Sequence, residues 1–155
     1  MNHRWRIVVD DLSGAEVRAL LQQHFAGMLA NSPPGSCHFL DFGELQSDDV
    51  TFWSIWDDWI LAGCGALKQL DPAHGEIKSM RVADSHRGQG AGHRMLMHIV
   101  AEAKQRGYRR LSLETGSGTA FADAQRLYTR AGFAECGAFA DYRVDPFSCF
   151  MTMSL

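Results

Sequence analysis

The sequence lacks several features that mark particular protein classes. Its four cysteines, at positions 37, 64, 136 and 149, form no C-x-x-C pair, and a chain of 155 residues does not need a disulfide framework. We therefore expect free thiols in a reducing compartment. The seven histidines fall in no H-x-x-x-H or H-E-x-x-H pattern and in no cluster with cysteine, so we expect no metal site.

An excess of one charge and long apolar runs are also missing. The net charge of −3 gives no support for nucleic acid or an anionic membrane as the main partner. No apolar run approaches the length of a membrane-spanning helix, and the segment after Arg4 and Arg6 is too short for a signal-peptide core. We expect a cytoplasmic protein with a single domain over residues 1–155, since no repeat or linker interrupts the chain.

Apolar periodicity predicts a series of strands and helices. The predicted strands are 5–9, 50–56, 59–70, 76–82, 109–115, 133–142 and 148–154, and the predicted helices are 14–29, 92–106 and 120–131. Residues 31–48 show no clear period and read as a loop with a short helix. The order β-α-β-β-β-α-β-α-β-β indicates a mixed α/β (α+β) fold, with helices on both faces of a mostly antiparallel sheet.

Local signals add detail to this outline. Ser13 and Glu16 have the spacing of a capping box at the start of the first helix. Gly63 and Gly65 predict a bulge in the third strand. Simple alternation in strand 76–82 predicts one face made of Glu76, Lys78, Met80 and Val82, and an opposite face made of Ile77, Ser79 and Arg81.

The most informative segment runs from Val82 to Gly92 and reads V-A-D-S-H-R-G-Q-G-A-G. Three glycines at alternate positions, Gly88, Gly90 and Gly92, precede a helix start, where unpaired N–H groups and the helix dipole favour an anion. Arg87 adds a guanidinium to the same loop. The segment therefore predicts a site for a phosphate or pyrophosphate.

Two familiar phosphate-binding loops do not fit this spacing. A P-loop requires a lysine after its glycines, and none is present. A G-x-G-x-x-G dinucleotide fingerprint would need a third glycine where His93 or Met95 stands, and it belongs on the first βα turn of a βαβ unit. A Rossmann-type oxidoreductase is therefore a weaker hypothesis, which failure to bind NADH would exclude.

A third loop type fits. The segment Arg87-x-x-Gly90-x-Gly92 and the later segment L-Y-T-R-A-G-F at 127–133 resemble the [RQ]-x-x-G-x-[GA] and L-Y-x-x-x-G-F motifs of the GNAT acyltransferase superfamily. One helix and one strand separate the two segments, as in that family, and the stretches 63–67 and 75–80 are similar to a poorly characterised bacterial subgroup.

The resemblance implies acetyl-CoA as co-substrate, and no metal. It implies that the loop cradles the pyrophosphate through backbone N–H groups, and that the preceding strand splays from its neighbour and pairs with the pantetheine arm. The implied cradle is Arg87, Gly88, Gln89, Gly90, Ala91 and Gly92, and the implied pantetheine contacts are Met80, Arg81 and Val82. Dimers are common in the family, so a homodimer is one expected assembly.

The resemblance also implies two catalytic roles. Tyr128 matches the tyrosine that protonates the departing thiolate, with a core tyrosine as the alternative interpretation. Glu76 matches a glutamate that deprotonates the amine in some members, with a surface glutamate paired to Lys78 as the alternative. Glu114 and Asp141 are the other candidate bases.

The sequence departs from the family at one position. Many members have an asparagine that contacts the cofactor three residues before the alanine matched here by Ala124, and Phe121 occupies that position. Ser117 or Thr119 would replace the contact, or the contact would be absent. On the acceptor side, Trp53, Trp56 and Trp59, with His38 and Phe39, form either an aromatic wall for an amine or ordinary core packing.

These observations predict an N-acetyltransferase that moves acetyl directly from acetyl-CoA to a primary amine of a small molecule or peptide. A non-catalytic acyl-CoA-binding or regulatory module is the alternative. A covalent route through Cys64 or Cys136 is a further alternative, although neither thiol has an evident activating partner in the sequence.

Overall fold

The computed structural model describes residues 4–36, 38 and 40–155, and Cys37 and Phe39 lie outside these ranges. Seven strands form one sheet in the order β1-β2-β3-β4-β5-β7-β6. The strands are β1 Trp5–Val9, β2 Val50–Asp57, β3 Ile60–Asp71, β4 His74–Val82, β5 Arg110–Gly116, β6 Ala134–Cys136 and β7 Ser148–Ser154. The helices are α1 Ala15–Asn31, α2 Phe42–Leu45, α3 Ala91–Gln105 and α4 Ala122–Ala131, with short 3-10 turns at Asp84–His86 and Thr119–Phe121.

The sheet is antiparallel at every junction but one. β4 and β5 run parallel, and their pairing is limited to His74–Glu76 against Arg110–Ser112. Beyond Glu76 the two strands separate, and no other strand in the described ranges pairs with the edge of β4 that faces β5. The splay implied by the family resemblance is thus present, and it opens a gap in the middle of the sheet.

Two apolar clusters cover the two faces of the sheet, as the sequence predicts. The larger cluster joins the sheet to α3, whose inward stripe includes Met95, Leu96 and Ile99. The smaller cluster joins the other face to α1, through Leu20 and Leu21. Burying these side chains is the main stabilising contribution of both helices. None of the helices within the described ranges combines the length and apolar composition that crossing a bilayer requires.

The predicted capping box at the start of α1 is wrong. Gly14 is the N-cap residue and has no side chain with which to cap the helix. The hydroxyl of Ser13 instead donates to the Asp11 carboxylate at 2.6 Å. A complete capping box instead begins α2, where the side chain of Asp41 accepts from the backbone of Glu44 at 2.8 Å. A nearby carboxylate therefore competes successfully for the serine hydroxyl.

The predicted bulge in the third strand lies beside Gly63, where Ala62 has no opposite residue in β2. A second bulge, which was not predicted, lies in β4 opposite Gly65. Residues 76–78 pair with 66–68 in one register, while 81–82 pair with 63–64 in a register shifted by one. Ser79 and Met80 therefore oppose the single residue Gly65, and Ser79 adopts a φ of 55°. Gly65 is required here, since a Cβ would lie 2.8 Å from the sulfur of Met80.

The bulge makes the predicted faces of β4 wrong. Met80 and Val82 pack with Ile77 in the α3 cluster and not on the side of Glu76. The side chain of Arg81 extends to the opposite face, where its Nη1 lies beside Gly27 of α1. An extra residue in a strand shifts the alternation of every side chain beyond it, which simple period-two reasoning cannot foresee.

The predicted strand over 133–142 is also wrong beyond residue 136. β6 ends at Cys136, and the chain from 137 to 147 is irregular. Asp145 stabilises the end of this stretch by accepting from the backbone N–H groups of Phe147 and Ser148, at 2.8 and 2.7 Å. The strand 148–154 agrees with the prediction.

Candidate active site

The glycine loop lies between the 3-10 turn at Asp84–His86 and the start of α3. Gly88 and Gly90 have φ values of 73° and 95°, which other residues rarely adopt. Gly90 is the N-cap of α3, and a Cβ at Gly92 would approach the Val82 side chain to 3.2 Å. The backbone of the loop is therefore bare, close to β4, and next to the unpaired N–H groups of a helix start.

A polar network that sequence reasoning missed fixes the start of this loop. His86 is buried and its Nε2 lies 3.0 Å from the Asp57 carboxylate, while its Nδ1 lies 2.8 Å from the Ser85 hydroxyl. The guanidinium of Arg4 donates to the same Asp57 oxygen at 3.0 Å. Arg4, and then His86, lower the pKa of Asp57 through hydrogen bonds. The loop is thereby tied to the end of β2.

A groove of about 600 Å³, here called the loop groove, extends from this loop to α4. Its lining includes most of the predicted donor residues: Met80, Arg81, Val82, Arg87, Gly88, Gly90, Ala91 and Gly92, together with Ala124, Leu127 and Tyr128. The predicted contacts Ser117 and Thr119 are exposed in the turn before α4 and are not among the lining residues. Gln89 turns its side chain back onto the Ser85 carbonyl at 3.2 Å.

A smaller cavity of about 180 Å³, here called the central cavity, lies where β4 and β5 separate, beneath α1. It shares Met80, Arg81, Ala120, Ala124 and Tyr128 with the loop groove, so the two spaces adjoin. Phe121, which stands where the family often has asparagine, lines the central cavity and packs against Phe147 at 5.5 Å between ring centroids.

Tyr128 stands at the junction of these two spaces. It is 6% exposed, and its ring packs edge-on against Phe133. Burial raises the pKa of Tyr128, which keeps the phenol protonated. Within the described ranges, no hydrogen bond to a protein atom is found for its hydroxyl. The proton on this hydroxyl is therefore available to a group in the cavity.

Glu114, one of the weaker candidates from sequence, lines the central cavity together with Tyr128. Burial raises the pKa of Glu114 to about 7, against the smaller opposing effects of a Ser148 hydrogen bond and the Lys78 charge. A carboxyl with this pKa changes ionisation near neutral pH and can accept a proton there.

Glu76, the first candidate from sequence, is 3% exposed and held by two neighbours. The Lys78 ammonium lies 3.4 Å from its carboxylate, and the Tyr142 hydroxyl donates to the same oxygen. The pairing with Lys78 agrees with the alternative interpretation, but the position is buried and not on the surface. Glu76 lines a third space and not the central cavity.

That third space, here called the outer cavity, has a volume of about 720 Å³. It lies between the chain after α1, at residues 34–36, 38 and 40, and the irregular segment 137–147, and it meets the central cavity at His38 and Lys78. Tyr142 lines it and accepts a hydrogen bond from Lys78 at 2.7 Å. Nothing in the sequence around Tyr142 signals this contact, because its partner is 64 residues away.

Of the two interpretations of the tryptophans, the aromatic wall is wrong. Trp53 is 2% exposed in the core, and Trp59 is 85% exposed at the β2–β3 turn. None of the three tryptophans lines the spaces described above, whereas His38 does. Burial raises the pKa of the Cys64 thiol to about 12, which disfavours the thiolate that a covalent route would need.

Comparison with known proteins agrees with this geometry. Residues 16–133 match the model of the acetyltransferase (GNAT) family. The chain belongs to the GNAT acetyltransferase family. Within it, the chain is 51% identical to the uncharacterized N-acetyltransferase YsnE of Bacillus subtilis, covering 96% of this chain and 99% of that protein. It is 48% identical to the uncharacterized N-acetyltransferase YedL of Escherichia coli, and that match covers 96% of this chain and 94% of the relative.

A solved structure from Klebsiella pneumoniae, assigned as an acyl-CoA N-acyltransferase, has the same fold. Its TM-score is 0.79 at 31% identity, and the match covers 99% of both chains. The protein is thus an N-acetyltransferase by class, and its co-substrate is the acetyl-CoA that GNAT enzymes use. Among the described residues, no group of three or more His, Cys, Asp or Glu side chains could hold a metal ion.

Proposed function

We propose that this GNAT acetyltransferase binds acetyl-CoA along the loop groove and transfers acetyl to a primary amine in the central cavity. The pyrophosphate accepts hydrogen bonds from the backbone N–H groups of 87–92, at the start of α3. The pantetheine arm lies along residues 80–82, where β4 has no partner strand and can pair through its backbone. The position of Tyr128 between the two spaces carries this proposal.

The reaction is a direct transfer without an enzyme-bound acyl group. The amine nitrogen attacks the thioester carbonyl, and a tetrahedral oxyanion forms. Collapse of that intermediate breaks the carbon–sulfur bond, and the Tyr128 hydroxyl gives its proton to the departing sulfur. A carboxylate takes a proton from the nitrogen. Burial raises the pKa of Tyr128, so the phenol holds its proton before the reaction; the same shift makes it a weaker acid, so its position between the two spaces, and not its pKa, supports the role.

Two carboxylates compete for the role of base. Glu76 remains the prediction from sequence, but it already accepts from Tyr142 and Lys78 and lines the outer cavity. Glu114 lines the same cavity as Tyr128 and has a pKa near 7. For this reason we assign the role of base to Glu114. Glu76 instead balances the charge of Lys78.

The test is acetylation of a panel of small amines and short peptides with acetyl-CoA, followed by mass spectrometry of the products. Tyr128→Phe is expected to lower kcat by roughly a hundredfold or more while leaving the Kd for acetyl-CoA unchanged. Tyr108→Phe is the matched control, since Tyr108 is equally buried but bonds to Gln69 away from both cavities.

Two outcomes would contradict the proposal. Binding of acetyl-CoA without acetylation of any panel member would favour the non-catalytic binding module. If Tyr128→Phe has the kcat of the wild type, Tyr128 is not the proton donor, although the acetyltransferase activity itself is unaffected.

A further inference from the structure

The guanidinium of Arg81 is the least compensated charge near the central cavity. Its Nε is buried and has no hydrogen-bond partner among the described residues. No ion pair to Arg81 is found within the same ranges. The residue is partly buried, and a buried guanidinium nitrogen without a partner is costly, so an anion in the cavity would satisfy it.

The neighbours of Arg81 show the uncompensated positive potential. Burial, and then the charges of Arg81 and Lys78, lower the pKa of His24 to about 4. Lys78 has a counter-ion in Glu76, 3.4 Å away. Arg81 has no counter-ion in the part of the chain that the structure describes, so the excess positive charge there belongs to Arg81.

A second unpaired group lines the same cavity. The Ser79 hydroxyl is buried at the β4 bulge, lines the central cavity and also lacks a partner among the described residues. A guanidinium and a hydroxyl are both hydrogen-bond donors suited to a carboxylate. Both groups line the central cavity, and the bulge places the side chain of Arg81 on the α1 side of the strand, where that cavity lies.

We propose that Arg81, assisted by Ser79, binds a carboxylate of the acceptor, so that the substrates are primary amines that carry a carboxylate, such as amino acids. This inference rests on the proposed acetyltransferase function and names the acceptor class for the same cavity. The amine end faces Tyr128 and Glu114, which line the same small space. A side chain on the acceptor extends past His38 and Lys78 into the larger outer cavity.

A phosphate of the co-substrate is a less suitable partner for this guanidinium. The bare N–H groups at 87–92 supply the phosphate site. The bulge turns the Arg81 side chain away from the α3 face and onto the α1 face, beside Gly27. The carboxylate therefore arrives with the acceptor and not with acetyl-CoA.

The first test uses the wild-type enzyme and needs no variant. Matched pairs are compared: each α-amino acid against the amine that results from its decarboxylation and against its methyl ester, which keeps the amine. We expect kcat/KM to be about tenfold to a hundredfold higher for the free acids. Equal or better acetylation of the amines and esters would overturn the carboxylate site while leaving the acetyltransferase function intact.

The second test replaces the cation. Arg81→Met is expected to raise the KM for the amino acid about tenfold or more, to leave the KM for acetyl-CoA unchanged, and to abolish the preference for acids. Arg81→Lys should restore part of the preference, since it keeps the charge and loses the planar fork. A raised KM for acetyl-CoA in Arg81→Met, with the acid preference retained, would contradict the proposal. If the wild type acetylates none of these compounds, the proposed function and this inference are both overturned.

Discussion

The ammonium nitrogen of Lys78 lies 2.7 Å from the hydroxyl oxygen of Tyr142. The same hydroxyl donates to the carboxylate of Glu76, so one phenol joins both members of a buried ion pair. This contact ties β4 to the irregular segment 137–147 and closes one side of the outer cavity. The segment thus has a defined position although it contains no regular secondary structure.

Tyr142→Phe is expected to lower the free energy of unfolding by about 1.5–3 kcal/mol, because the lost hydrogen bonds are to charged, buried groups. Tyr108→Phe removes a hydrogen bond between two neutral side chains, Tyr108 and Gln69, and should cost only about 0.5–1.5 kcal/mol. Urea denaturation of both variants checks the difference. An equal or smaller loss in Tyr142→Phe would mean that the phenol does not stabilise the ion pair.

The pH dependence of the reaction distinguishes the two candidate bases. Only the ionised carboxylate can accept a proton, so kcat of the wild type should rise as the pH increases through about 7, the pKa of Glu114. Glu114→Gln should abolish this rise and lower kcat by about 100-fold to 10,000-fold. The measurement is kcat at saturating substrates between about pH 5.5 and pH 8.5.

Glu76→Gln is the matched control for this prediction. It removes the other buried carboxylate but leaves Glu114 in the central cavity, so the rise near pH 7 should remain even if the rate falls. If kcat of Glu76→Gln no longer rises near pH 7 while Glu114→Gln keeps the pH profile of the wild type, the base is Glu76 and not Glu114.

The left-handed glycines of the loop allow a separate test of the donor site. Gly90→Ala forces an L-residue into a φ of 95°, a conformation that costs roughly 1–2 kcal/mol. We therefore expect acetyl-CoA to bind about tenfold more weakly. Gly107→Ala places the same strain at a φ of 82° at the far end of α3, with no atom within 4 Å of the new Cβ. It should reduce stability without changing the Kd for acetyl-CoA, as measured by calorimetry. Equal affinities in the two variants would place the cofactor elsewhere.

The link between Asp57 and His86 predicts an effect at a distance. Asp57→Asn loses the charge that holds both Arg4 and His86, so the loop should be less ordered before binding and the KM for acetyl-CoA should rise several-fold. The kcat should change little, since Asp57 touches neither cavity. Asp58→Asn, the adjacent change in the same turn, is the control and should match the wild type in both constants.

The parts of the site that could be predicted from sequence are those encoded by local motifs. The glycine loop and the segment 127–133 are short, and their spacing alone identifies the family and fixes the positions of Gly90 and Tyr128. The order of strands and helices also follows from local periodicity. Both kinds of signal depend on neighbours within one element.

The parts that could not be predicted depend on contacts between distant segments. The bulge at Ser79 and Met80 arises from pairing with Gly65, and it decides that Arg81 faces α1. Tyr142 reaches Glu76 across 66 residues, in a stretch that sequence alone assigned to a strand. Neither the bulged face of β4 nor this network leaves a periodic signal in the chain.

The most direct measurement is a crystal structure of the protein with bound CoA. We expect the pyrophosphate on the N–H groups of 87–92, the pantetheine arm along residues 80–82, and the sulfur within roughly 3.5 Å of the Tyr128 hydroxyl. A pyrophosphate bound away from the glycine loop, or a sulfur out of reach of Tyr128, would contradict this expectation.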